Sequence, residues 1–210
     1  MRGQGRDADA VACAAGLFLE RGIAAVKMTD IAEAAGIGVA TLYRRFSTKT
    51  RLAIEAATLL WSRFNARIEL LVESDRFLAM DGADRLEALL REYAARLVTN
   101  QRFVSFLAEF DHLMIQEKVA PSELAAYGRE VDSFFLIFAD AYRLGMMDHS
   151  VREIEDFKTF YRSVAHALMG VAEKIFQGNV IPSDNFAGGR SELACIVDMA
   201  VRYIRVGQDR

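Results

Sequence analysis

An all-α fold is predicted by three features of this sequence. Apolar residues recur at three- and four-residue spacing along most of its length, the period of a helix with one buried face. Only 2 prolines occur in 210 residues of which 52% are hydrophobic, so little interrupts those helices and much apolar surface must be covered. The stretch MTDIAEAAGIGVATLYRRFSTK, residues 28–49, reads as two short helices joined by a glycine-bearing turn. About nine helices are expected in all.

The first helix is predicted over Ala8–Arg21, with Val11, Ala14, Ala15 and Phe18 on one face and Gly22 as its stop residue. Residues 1–6 before it are expected to be a loose arm, whose Arg2 and Arg6 could meet phosphates. Ile23 and Val26 then pack beneath the helix pair. In the first member of that pair Ile31, Ala32 and Ala35 share a face, and Gly36 stands where the helix must end. The second member follows Gly38 and buries Leu42 and Phe46, four residues apart. Val39, Ala40, Thr41, Tyr43, Arg44 and Arg45 are left for its remaining surface. Two helices, a tight turn and a polar, basic outer face describe a helix-turn-helix that can enter a DNA major groove. An ordinary αα-hairpin with solvated arginines fits the same pattern.

The segment IAEAAGIGVATLYRRFSTKTRLAIEA resembles the DNA-binding segment of the TetR family of transcriptional regulators. Thr41, Leu42, Tyr43, Phe46 and Lys49 stand at matching positions, and Phe18, Gly22 and Ile23 fit the family's first helix and its exit. The resemblance covers residues 8–57 and implies a three-helix DNA-binding domain over 1–50. The remainder, 51–210, would then be a larger helical domain that binds an effector and dimerises.

By this resemblance the DNA contacts fall on Lys27, Thr29, Gly38, Val39, Ala40, Thr41, Tyr43, Arg44 and Lys49. Arg44 suits a bidentate contact to a guanine edge, and Thr41 a second base or phosphate. Tyr43 resembles the family's phosphate-binding tyrosine. Lys49, at a helix start, suits a phosphate. Two residues depart from the family pattern. Lys27 stands where Ser or Thr commonly caps the helix, and lysine has no acceptor for the free amides, so the cap must come from elsewhere or the helix begins at Thr29. Gly38 replaces another Ser or Thr, a milder change. Val39 and Ala40, exposed at a helix start, suit thymine methyl groups.

Charge distribution agrees. The net charge is −3, yet the first 51 residues hold eight Lys/Arg against five Asp/Glu, and the rest 18 against 24. A basic head on an acidic body suits a protein that meets phosphate at one end.

Further helices are expected over about 48–73, 83–98, 103–113, 121–144, 153–177 and 190–206. Asn100 and Gly145 serve as stops, Pro121 lies in a first turn, and GNVIPSDNFAGG (178–189) is a turn-rich link. The body is crowded with aromatics. Trp61, Phe64, Tyr93, Phe103, Phe106, Phe110, Phe134, Phe138 and Tyr142 read either as core or, through the resemblance, as the lining of an apolar or aromatic effector's pocket. Candidate polar groups beside them are Asn65, Asp111, His112, Gln116 and Tyr127. On the last two helices Phe160, Val164, Leu168, Val171, Ile175, Leu193, Ile196, Val197, Ala200 and Ile204 are either intrachain core or, as in the family, the homodimer contact.

Nothing indicates catalysis, a metal or a cofactor. His112, His149 and His166 lie on separate elements, with no HExxH, CxxC or glycine-rich phosphate loop. Cys13 and Cys195 read as free thiols of a reduced compartment, with redox sensing the alternative. No apolar run is long enough to span a membrane and no signal peptide is visible, so a cytoplasmic location is expected.

Overall fold

Glycines and capping side chains divide the chain into helices. The computed structural model describes residues 2–177 and 189–207, with side chains over 7–176 and 189–207. Among these residues there are ten α-helices: α1 (Arg2–Arg21), α2 (Met28–Ala34), α3 (Val39–Phe46), α4 (Lys49–Val72), α5 (Asp75–Leu78), α6 (Gly82–Thr99), α7 (Gln101–Gln116), α8 (Ala125–Met147), α9 (Phe157–Gln177) and α10 (Gly189–Ile204). A 3-10 turn at Pro121–Leu124 leads into α8. The all-α expectation holds; β structure among the described residues is one bridge between Val151 and Arg205.

The chain forms two compact units, Met1–Phe64 with Ser105–Val131 and Asn65–Val104 with Asp132–Arg210. In the first, α2 packs against α1 and α3. Its core holds Phe18, Ile31 and Leu42, all at most 1% exposed. In the second, α10 packs against α6 and α9. The division expected at residue 50 falls at the start of α4, a helix whose chain runs through both units.

Several local expectations are corrected. α1 starts at Arg2, so residues 2–5 continue the helix instead of forming a loose arm; the side chains of Arg2 and Arg6 lie outside the described residues, as do Met1 and 178–188 of the expected link. The break expected near Ser74 contains α5, because the Ser74 hydroxyl accepts from the Phe77 amide at 3.3 Å. Gly145 does not end α8, which continues to Met147. It is buried inside that helix because Gly82 of α6 meets it there, backbone to backbone. The helix expected from Glu153 begins at Phe157, where the Asp156 carboxylate accepts from the Thr159 amide at 2.9 Å. Residues 151 and 152 are drawn instead to α10, the Arg152 amide donating to Ile204 O at 2.8 Å.

Candidate nucleic-acid interface

The helix-turn-helix is built from two glycine stops. At Gly22 (φ +79°) the amide donates back to Phe18 O at 2.9 Å, closing α1. At Gly36 (φ +63°) a Schellman pair forms: Gly36 N–H to Glu33 O and Ile37 N–H to Ala32 O, both 3.0 Å. A side chain in the left-handed region is strained, and glycine carries no such cost.

Asp30 closes the start of α2 from within the helix, while no side chain at the N-cap accepts from its first amides. Lys27 is the N-cap residue, and its amide donates to the Asp30 carboxylate at 2.9 Å. Asp30 also places negative charge in the first turn, where the helix dipole favours it. The helix therefore begins at Met28 and not at Thr29.

α3 has two distinct faces. Leu42 is 0% exposed and Phe46 8%, which anchors the helix on the core at ~1.5 to 3 kcal/mol per side chain. Ala40, Tyr43 and Arg44 are exposed, Tyr43 by 49%, while Val39 and Thr41 are half-buried. Lys27, Thr29 and Gly38 are exposed as well. Thus a guanidinium, a phenol and a methyl group share the outward surface of a short helix held firmly from behind.

Two cations are not part of that free surface. Arg45 is ion-paired with Asp7 of α1. Lys49, expected at a phosphate, donates through Nζ to three main-chain oxygens: Ile23 O at 2.8 Å, Val26 O at 3.1 Å and Ala24 O at 3.3 Å. An ammonium has three donors, so in this arrangement Lys49 holds the α1–α2 turn with all of them. The turn has a second holder that sequence reading missed. Glu109 of α7 accepts from the Ile23 amide at 2.6 Å.

A family model described as "Bacterial regulatory proteins, tetR family" matches residues 11–56, the segment carrying these two stops and both faces of α3. These residues form a TetR-family segment. The HTH-type transcriptional repressor KstR2 of Rhodococcus jostii (strain RHA1) is 32% identical over 123 residues, which are 51% of this chain and 58% of that relative. Similar solved structures include a TetR transcription regulator from Haloarcula marismortui (TM-score 0.69, 18% identity, 95% of this chain and 96% of that one). Another, a TetR-family regulator from Mesorhizobium loti, has a TM-score of 0.67 at 18% identity and covers 98% of this chain and 100% of that one. A regulator from Saccharomonospora viridis in complex with choline has a TM-score of 0.65 at 18% identity, covering 96% and 98%. These structural likenesses extend the TetR-type fold from the head to nearly the whole chain.

The aromatic candidates of residues 51–210 are buried within their own units, except Tyr142, which is half-buried. In the first unit the Trp61 indole N–H donates to the Tyr127 hydroxyl at 3.2 Å, Trp61 meets Phe64 edge-on at 5.4 Å, and Phe110 lies 4.9 Å from Tyr127. Phe106 stacks between Phe18 and Phe110. Burial pushes the Tyr127 phenol up to about 12, with the Trp61 hydrogen bond pulling the other way. In the second unit Tyr93, Phe134 and Phe138 form a chain of rings at 5.2 and 5.3 Å, Phe103 is 7% exposed, and Tyr142 stacks on Phe157 at 4.1 Å. Of the polar candidates, Asp111, His112 and Gln116 are exposed, and Asn65 is buried with its amide donating to the Ser133 hydroxyl at 3.1 Å. Open volume in the second unit includes a cavity of about 280 Å³ between α6 and α10, lined by Arg91, Ala94, Val98, Arg190, Leu193 and Val197.

Five of the ten expected dimer residues turn inward. Leu168, Leu193, Val197, Ala200 and Ile204 are at most 5% exposed within a single chain. Phe160, Val164, Val171, Ile175 and Ile196 are half-buried. The outward faces of these helices present Ala167 and Gly170 on α9 and Ala194, Cys195, Met199 and Tyr203 on α10, with Met199 58% and Tyr203 54% exposed. Among the described residues no group of three or more His, Cys, Asp or Glu side chains can hold a metal ion, and no helix is long and apolar enough to cross a membrane.

Proposed function

We propose that this chain is a TetR-family, dimeric transcriptional repressor that binds a palindromic operator through α3 and is released by a small apolar or aromatic effector. The observation that carries the DNA reading is the division of α3, with Leu42 and Phe46 buried and Tyr43, Arg44 and Ala40 outward. In this reading Arg44 reads a guanine edge. Thr41, Val39, Ala40 and Gly38 make the remaining groove contacts, and Tyr43, Lys27 and Thr29 meet phosphates. Repression is supported by likeness to a relative named as a transcriptional repressor. Residues 1–50 would serve as the reading head and 51–210 as the effector-binding and dimerising body. Two copies joined through the outward faces of α9 and α10 would present their α3 helices about one DNA turn, ~34 Å, apart or somewhat more. Effector binding need only favour one separation of the heads over another to release the operator.

The test is genomic footprinting of the bound protein, followed by titration of each protected duplex at several salt concentrations and by a promoter-reporter assay. Salt-sensitive binding to a palindrome, with reporter output rising when the protein is deleted, supports the proposal. A second reading, a regulator without a small-molecule effector, is favoured by the ring-on-ring packing of Trp61, Phe110 and Tyr127 and of Tyr93, Phe134 and Phe138. Compounds linked to genes beside the protected sites separate the two, since release by one of them excludes the second reading.

A further inference from the structure

The turn between α1 and α2 is held from outside by two side chains of opposite charge. Beyond the last turn of α1 the Ile23 amide has no helical acceptor, and its partner is Oε2 of Glu109, 86 positions away, at 2.6 Å. A carboxylate accepting from a main-chain amide makes a short, charge-assisted bond. Gly22 makes room for it: a Cβ there would stand 2.8 Å from Oε1 and 3.0 Å from Oε2 of Glu109. The carbonyl of the same Ile23 is held by Lys49 Nζ at 2.8 Å. One residue of the turn is therefore gripped at its N–H by α7 and at its C=O by α4, four residues before the N-cap position Lys27.

We infer that Glu109 is a positioning residue for DNA reading, fixing from α7 the turn from which α2 and α3 depart. The inference rests on the DNA-binding reading above and adds to it a residue outside the helix-turn-helix. α7 begins at Gln101, in the stretch assigned to the second unit, and continues into the first. Glu109 is itself an exposed side chain, so its loss acts on the placement of the turn more than on the burial that stabilises the fold.

The experiment compares full-length wild-type protein, E109A and E109Q on the duplex that the wild type protects in footprinting, with hydrogen exchange read at the Ile23 amide and melting followed in parallel. The glutamine amide oxygen can still accept from Ile23. E109A is expected to bind the duplex about tenfold more weakly per folded molecule, with faster exchange at Ile23 and a modest drop in melting from the amide left without its charged acceptor. E109Q is expected to stay close to wild type. E109A binding as tightly as wild type, E109Q failing as badly as E109A, or a drop in melting with unchanged affinity per folded molecule would each overturn the inference alone. Wild-type protein that ignores every duplex would overturn the DNA-binding reading and the inference with it.

Discussion

Gly82 and Gly145 meet backbone to backbone in the second unit. A Cβ on Gly82 would overlap the amide nitrogen and Cα of Gly145 and lie 2.8 Å from the Ala141 carbonyl oxygen. Main chain cannot step aside as a side-chain tip can, so Gly82→Ala must force α6 and α8 apart. Overpacking of this kind costs ~1 to 3 kcal/mol, at times more. The expected outcome is a lower urea midpoint with an unchanged slope.

Lys49 offers a test of clamp against phosphate contact. Replacing it with Met removes the donor shared by Ile23 O, Val26 O and Ala24 O, which should destabilise the protein by ~1 to 3 kcal/mol. The salt dependence of operator binding should keep its slope. A lysine on a phosphate would instead lower that slope by about one, so titration across salt decides between the roles.

Tyr127 sets an alkaline limit. Its phenol ionises near 10 in the unfolded chain, whereas burial in the folded protein holds the proton to about 12. Between these values the unfolded state binds fewer protons, so stability falls as pH rises from 10 towards 12, by ~2 to 3 kcal/mol in all. Tyr127→Phe should remove this part of the alkaline loss. Equal pH dependence of wild type and variant in urea unfolding would refute the assignment.

The proposed dimer face separates two outcomes on one helix. Met199 is 58% exposed and Val197 1%, two residues apart on α10. Met199→Asp should give folded monomer in sedimentation, because its charge would sit between copies. Val197→Asp should unfold the chain, because an unpaired carboxylate would sit among α6 and α10 side chains.

The reading head was legible in the sequence because each of its determinants is local. Gly22 and Gly36 stop helices within one turn of the apolar residues they follow, and Leu42 and Phe46 declare the buried side of α3 by their spacing alone. What was not legible depends on distant partners. Nothing near Ile23 announces Glu109, and nothing near Lys49 shows that three carbonyls will surround it. Gly145 looked like a stop because a helical glycine either ends a helix or admits a neighbour, and the neighbour, Gly82, lies 63 positions earlier. Helices α9 and α10 have apolar residues on more than one side. Periodicity therefore could not tell that Leu193, Val197 and Ile204 face their own chain while Met199 and Tyr203 face outward.

The most direct measurement is a titration of wild-type and Arg44→Ala protein on a footprinted palindromic duplex and on the same duplex with its guanines exchanged. Wild-type binding should weaken steeply with salt and discriminate between the two duplexes. Arg44→Ala should bind the true site ~1 to 3 kcal/mol more weakly and lose much of that discrimination. Arg44→Ala that keeps full selectivity, or wild-type protein that stays unbound at low ionic strength, would contradict the claim that α3 reads DNA through its outward face.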